Sequence, residues 1–245
     1  MQGKVGGNVR KNKDIYLFYC DKYGLSTKER KDLFKMIKSI YFHKEFQRRF
    51  GEEFKHHGKT TLSEHIIEDT IVTYMLCKKS KKKVNTELAV KISMMHDLYT
   101  IPWQNNNIKK SKLVLRHGFA HPLEAAINSM VWFKKEFNNS IKSEILLDGI
   151  LHHMYPLPVL SYKDSKNNEL ELFNYDLIKK LTPRNKALLE KLSNKYKIGS
   201  VSLCRSDYLE GRIMSRADKL VSRKQLLCTD DVLALVTGVN DSLIS

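Results

Sequence analysis

The stretch Ile92-Ser93-Met94-Met95-His96-Asp97-Leu98-Tyr99 decides how this chain is read. Leu88, Ile92, Met95 and Tyr99 recur at spacings of 4, 3 and 4, which is the inward stripe of a helix. That helix is predicted to end near Leu98, with His96 and Asp97 at its inner end. An ionised carboxylate among apolar side chains is costly unless a cation or hydrogen bonds compensate it. An imidazole beside a carboxylate suits a divalent metal such as Mn²⁺, Fe²⁺ or Zn²⁺. A His-Asp pair by itself is more often an ordinary helix end, with the histidine on a backbone carbonyl and the aspartate in water. The rest of the chain must therefore carry the assignment.

Upstream, Thr61-Leu62-Ser63-Glu64 matches a capping box, so His65 falls in the first turns of a helix running to about Leu76. Leu62, Ile66, Ile67, Ile71, Tyr74 and Met75 face its core, and His65 lies beside that face. The basic run from Lys78 to Lys83 reads as a solvated loop ending at Thr86, taken as the N-cap of the helix that carries His96. Earlier, Gly3 to Lys13 reads as a flexible basic tail, Asp14 to Tyr23 as a short helix stopped at Gly24, and Ser26-Thr27-Lys28-Glu29 as a second capping box.

Downstream, Arg116-His117-Gly118-Phe119-Ala120-His121-Pro122 precedes helical spacing from Leu123 to Phe137. This spacing puts His121 in an exposed basic loop just before a helix. Another helix, Ile141 to Leu151, delivers His152 and His153 at its end. Leu172 to Leu181 and Thr182-Pro183 to Tyr196 read as two further helices without chemistry of their own. Ser206 to Leu227 is helical, with Leu209, Ile213, Ala217 and Leu220 on one face and Asp218 beside it.

The chain has 245 residues and 42% apolar content, and no run approaches the length needed to span a bilayer. Residues 1–13 are polar and basic, without a signal peptide's apolar core. Cys20, Cys77, Cys204 and Cys228 form no CxxC pair and read as reduced thiols, so a cytoplasmic location is expected. The 43 Lys and Arg against 27 Asp and Glu give a charge of +16. Such a field attracts nucleotides, nucleic acid or anionic membrane, although a lysine-rich composition alone produces the same excess. No linker divides the chain, so residues 14–245 are expected to form one all-α helical domain.

His65, His96, Asp97 and Asp218 come from three predicted helices, the composition of a divalent-metal site in a helical bundle. His121, His152 and His153 can supply nitrogens to a second ion, with Asp97 bridging. Two-metal hydrolytic sites hold their ions about 3.5–4 Å apart and activate water for in-line attack on phosphorus.

At these residues the chain resembles the HD superfamily of metal-dependent phosphohydrolases, with ligand order H…HD…D, and more narrowly small bacterial HD-domain proteins of the Firmicute type. The matching blocks are His57-Gly58 through His65, Met95-His96-Asp97, the His117 to Pro122 run, His153-Met154-Tyr155-Pro156-Leu157, and Ala217-Asp218-Lys219. The resemblance implies an HD-domain helical bundle with one or two divalent ions (Fe, Mn, Zn, Mg, Co or Ni). The first would be held by His65, His96, Asp97 and Asp218, and the second by His121 and His153 with His152. Branches of the family with two metals cleave cyclic dinucleotides.

Two departures stand out. Leu157 and Asp218 are far apart, pointing to an inserted helical segment at about residues 164–198. The chain also continues from the His-Asp pair as Leu98-Tyr99-Thr100-Ile101-Pro102-Trp103, without the Gly-Lys that many members carry. Arg116, His117, His57 and Lys219 are then the candidates to bind phosphate or donate a proton, because a developing phosphorane needs cationic donors. The expected function is metal-dependent hydrolysis of a phosphomonoester or phosphodiester, of a nucleotide or cyclic nucleotide. The alternative is a non-catalytic module that binds nucleic acid through its basic surface.

Overall fold

A computed structural model describes residues 5–56, 60–100, 117–162, 175–199 and 201–227. It is mostly helical, as expected. Helix α1 spans Val5–Lys22, α2 Thr27–Tyr41, α3 Lys44–Arg48, α4 Leu62–Lys79, α5 Thr86–Met95, α6 His117–Trp132 and α7 Ser140–Leu151. After strand β1 (Val159–Leu160) come α8 (Tyr175–Lys179), α9 (Pro183–Ser193), β2 (Lys197–Ile198), β3 (Val201–Ser202) and α10 (Leu209–Leu227).

Both capping boxes form. Ser26 and Glu29 exchange bonds at the start of α2, and Thr61 and Glu64 do so at the start of α4, each pair satisfying backbone donors that have no partner within the helix. Gly24, with φ +66, ends the α1 connection in the left-handed region that a side chain resists. Helix α4 is buried on nearly every side: even Ser63, Glu68, Asp69, Thr70 and Thr73 are covered. It is therefore a central helix, not a surface one. Helices α5 and α10 pack on it and on each other, and α7 packs on both.

Several boundaries differ from the sequence reading. Helix α1 begins at Val5, inside the stretch read as a tail. Once Tyr16, Tyr19 and Cys20 are buried in the core, each added residue gains a hydrogen bond without repeating the costly nucleation step. Asn85, not Thr86, caps α5: its side chain accepts from the Leu88 N–H. That helix ends at Met95 with His96 as its C-cap, a turn earlier than expected. Helix α6 already includes His121 and Pro122, and His121 is buried, not exposed. Pro122 is the sixth residue of the helix, so its missing N–H costs one intrahelical bond, the one to the Gly118 carbonyl.

Of the stretch 164–198, residues 164–174 lie outside the described part. The remainder holds α8 and α9, the latter capped by Thr182 with Pro183 at its first turn. An unanticipated small antiparallel sheet, in the order β1-β3-β2, pairs Val159 with Ser202 and Leu160 with Val201. β3 thus lies beside β1 although α8 and α9 come between them in sequence, and those helices pack on the bundle, α8 on α6 and α9 on α6 and α7. Two-residue strands carry too little alternation to be legible as a period. No helix among the described residues is long and apolar enough to cross a membrane.

Where α7 and α10 cross, glycine meets glycine. A Cβ on Gly211 would lie 2.7 Å from the Gly149 Cα and 2.3 Å from Ser206 Oγ, and one on Gly149 would lie 2.6 Å from Ile92 of α5. This close approach brings His153, which follows α7, up to Asp218 on α10.

Candidate metal centre

Helix α4 contributes His65 and, one turn on, Asp69; the C-terminus of α5 contributes His96 and Asp97; α10 contributes Asp218. His65 Nε2 lies 3.0 Å from Asp69 Oδ2, 3.5 Å from Asp218 Oδ1 and 3.9 Å from Asp97 Oδ2. His96 Nε2 lies 3.5, 4.0 and 3.7 Å from the same three oxygens. The ligand atoms of His65, Asp69, His96 and Asp218 all lie within 4.8 Å of one another, and all four residues are buried.

The second carboxylate oxygen of Asp97 faces a different pair. Oδ1 lies 3.2 Å from His121 Nε2 and 3.7 Å from His153 Nε2, and those two nitrogens are 3.0 Å apart. Asp97 therefore has one oxygen toward each cluster.

The outer nitrogens explain why the lone pairs point inward. His96 Nδ1 lies 2.7 Å from the Ser93 carbonyl, and His153 Nδ1 lies 2.8 Å from the Ile150 carbonyl. Each histidine follows a helix and donates to a terminal carbonyl three residues back that lacks a helical partner. His65 Nδ1 lies 3.0 Å from Gln225 Oε1. The Gln225 amide is oriented by its NH₂ group, which donates to Glu68 Oε2 at 3.0 Å. A carbonyl oxygen can only accept, so in all three rings Nδ1 carries a proton and Nε2 is the nitrogen turned toward the carboxylates, the arrangement found in metal-binding histidines.

The charges fit a cation as well. Burial pushes the Asp97 carboxyl upward, but His96 and His121 outweigh it and hold Asp97 well below the usual carboxylate range. Asp218 is likewise lowered, burial being overcome by His65 and His96. Asp69, with less compensation, is pushed up to about 6 by burial. Burial, reinforced by His96 and His121, drives His153 down to about 3, so it is neutral and able to ligate at pH 7. Burial opposes it, but Asp69 and Asp218 hold the His65 imidazole well above its ordinary value: three buried carboxylates draw positive charge to this centre, and the mixed nitrogen and oxygen donors suit a divalent transition metal.

A cavity of about 420 Å³ opens onto the centre. Asp97, His121, His153, Asp218, His56 and Lys219 form its polar side, and Met154, Pro156 and Leu157 an apolar wall. Lys219 Nζ donates to Ser215 Oγ at 2.7 Å, and Ser215 Oγ donates to the His153 carbonyl.

The structure brings together His65, His96, Asp97, His121, His153 and Asp218. It does not bring in His152, expected as a further ligand. That ring turns to Asp148, with Nδ1 3.1 Å from Oδ1. Adjacent residues at a helix end project in widely different directions, so His152 and His153 do not share a target. His117 is the first residue of α6, while His57 and Arg116 lie outside the described residues. Sequence reading missed Asp69, although His65 and Asp69 at positions i and i+4 share one face of a helix. An aspartate inside the apolar run Ile66 to Val72 was the available signal. No protein-family model, curated protein or solved structure matches the chain.

Proposed function

We propose that the chain is a metal-dependent phosphohydrolase of the HD type, acting on a phosphomonoester or phosphodiester of a nucleotide or cyclic nucleotide. The observation that carries this reading is the Asp97 carboxylate, with Oδ2 toward His65 and His96 and Oδ1 toward His121 and His153. A protein that used this scaffold only for binding would have no need of so many convergent, buried ligands.

When bound, divalent cations supply Lewis acidity and activate water for attack at phosphorus. His65, His96, Asp218 and Asp69 would hold one ion, and His121 and His153 a second, with Asp97 shared. The chain's own groups do the rest. Ser93, Ile150 and Gln225 fix the ring orientations. Lys219, at the cavity's edge, presents a cation to the phosphoryl oxygens, and the Met154 to Leu157 wall excludes water from one side.

The decisive experiment is metal analysis of protein purified without chelator, with a phosphatase and phosphodiesterase screen. One or two transition-metal ions per chain are expected. Asp97→Ala should lose them and all turnover while its circular dichroism stays helical. Full metal retention by a folded Asp97→Ala protein would overturn the assignment.

A further inference from the structure

A second cavity, of about 310 Å³, lies along the next face of α10. Arg212, Arg216 and Lys219 line it at i, i+4 and i+7, a single stripe of the helix. Arg205 joins them from the segment before α10, with Tyr155 and Ser206 on the other side. Among the described residues, no carboxylate lines this cavity.

Like charges one helical turn apart repel one another, and a folded protein normally answers them with acids. Here Arg212 Nε and Arg216 Nη1 are buried without a hydrogen-bond partner among the described residues. Asp148 does not answer them. Its oxygens are already engaged by His152 Nδ1 at 3.1 Å, Ser206 Oγ at 2.5 Å and the Asp207 N–H at 2.9 Å.

Arginine forks match the oxygens of a phosphoryl group, and several of them around one concavity form a phosphate site. Lys219 lines both this cavity and the one over the metal centre, so the two adjoin. Each lies toward the small end for ligand sites, which suits two parts of one molecule.

We propose that the cavity lined by Arg205, Arg212, Arg216 and Lys219 is an anion subsite, and that the substrate carries two separate phosphoryl groups, one held here and the other presented to the histidine–aspartate centre. The substrate half of this inference rests on the hydrolase reading above. In hydrolysis, a water oxygen bonds to the phosphorus at the centre and the P–O bond to the leaving group breaks. The leaving oxygen takes up a proton. The phosphoryl group among the arginines is held and left uncleaved.

The test begins with calorimetric titration of inorganic phosphate into the full chain after its metal is stripped by chelator. Saturable binding is expected. It should weaken at least about tenfold, or roughly 1.4 kcal/mol, in Arg212→Ala/Arg216→Ala, and persist in Asp97→Ala. Arg205→Glu, at an exposed position, provides a second variant that does not threaten the fold. The metal-loaded chain is then titrated with adenosine bisphosphate, phosphorylated on two ribose hydroxyls, and with AMP. The bisphosphate should bind about tenfold tighter, and Arg205→Glu should remove the difference. Phosphate binding that is absent, or indifferent to both arginine changes, overturns the subsite. Equal affinity for bisphosphate and AMP overturns the two-phosphoryl substrate. Phosphate binding to the stripped chain needs no metal. If it persists while no phosphoester is turned over, the hydrolase reading fails and the subsite stands.

Discussion

A single amide illustrates how far the histidine–aspartate centre reaches beyond its ligands. Gln225 is held by Glu68, itself a buried acid that accepts from Tyr23 at 2.8 Å and Lys224 at 2.9 Å. In Gln225→Leu, His65 loses the acceptor that keeps its proton on Nδ1. Outer partners of this kind are typically worth 10–100-fold in metal affinity, so a loss of about that size is expected, read by competition with a chelating dye. Unchanged affinity would show that the Glu68–Gln225 chain does not position His65. Glu124 supports a second expectation. Burial raises its carboxyl to about 7 from an ordinary 4.5, while the Thr100 N–H donates to it at 2.7 Å. The folded state binds this proton more tightly than the unfolded chain. Its contribution is therefore complete below pH 4.5 and is lost as pH rises through about 7. Glu124→Gln, which can still accept from Thr100, should remove about 3 kcal/mol of this pH dependence in metal-stripped protein. Parallel denaturation curves for variant and parent between pH 4.5 and 8 would contradict it.

Among elements, the crossing of α7 and α10 is the tightest constraint on the site. Ser206, which a Cβ on Gly211 would meet, is itself bonded to Asp148 and cannot simply turn away. Gly211→Ala is expected to destabilise by about 1–3 kcal/mol, as overpacking does, and to weaken metal binding by displacing Asp218. Gly118 of α6 is the control, with nothing among the described residues within 4 Å of an added Cβ. Gly118→Ala should gain roughly 0.5–1 kcal/mol from helix propensity. Chemical denaturation of the two variants measures both, and a stabilised Gly211→Ala would mean that the helices do not meet as described.

For the whole molecule, the charge of +16 separates the enzyme from a nucleic-acid-binding module. If the excess steers a small phosphorylated substrate, turnover should rise at low salt and long polymers should bind weakly. If it holds nucleic acid, affinity should survive metal removal and fall with salt, at a log–log slope of roughly −0.7 to −0.9 per phosphate contacted. The first outcome is expected. Tight, metal-independent polymer binding without turnover of any phosphoester would establish the second.

The helical class and most helix positions were determined by the sequence alone, because apolar spacing and caps such as Ser26, Thr61 and Thr182 are local properties of the chain. The histidines and acids of interest were legible for the same reason: His96-Asp97 and Asp218 each stand against an apolar stripe. Direction was not legible. That His153 turns to the centre while His152 turns to Asp148 depends on how α7 ends and on what α10 lays against it. That Gln225 sets the ring of His65 required two helices 160 residues apart in sequence to pack together, whereas Asp69 meets His65 from one turn along the same helix. Arg212, Arg216 and Lys219 stand at helical spacing in the sequence, but only packing sets a cavity beside that stripe. Local pattern specifies which residues can be buried; only packing between distant segments decides what each buried atom meets.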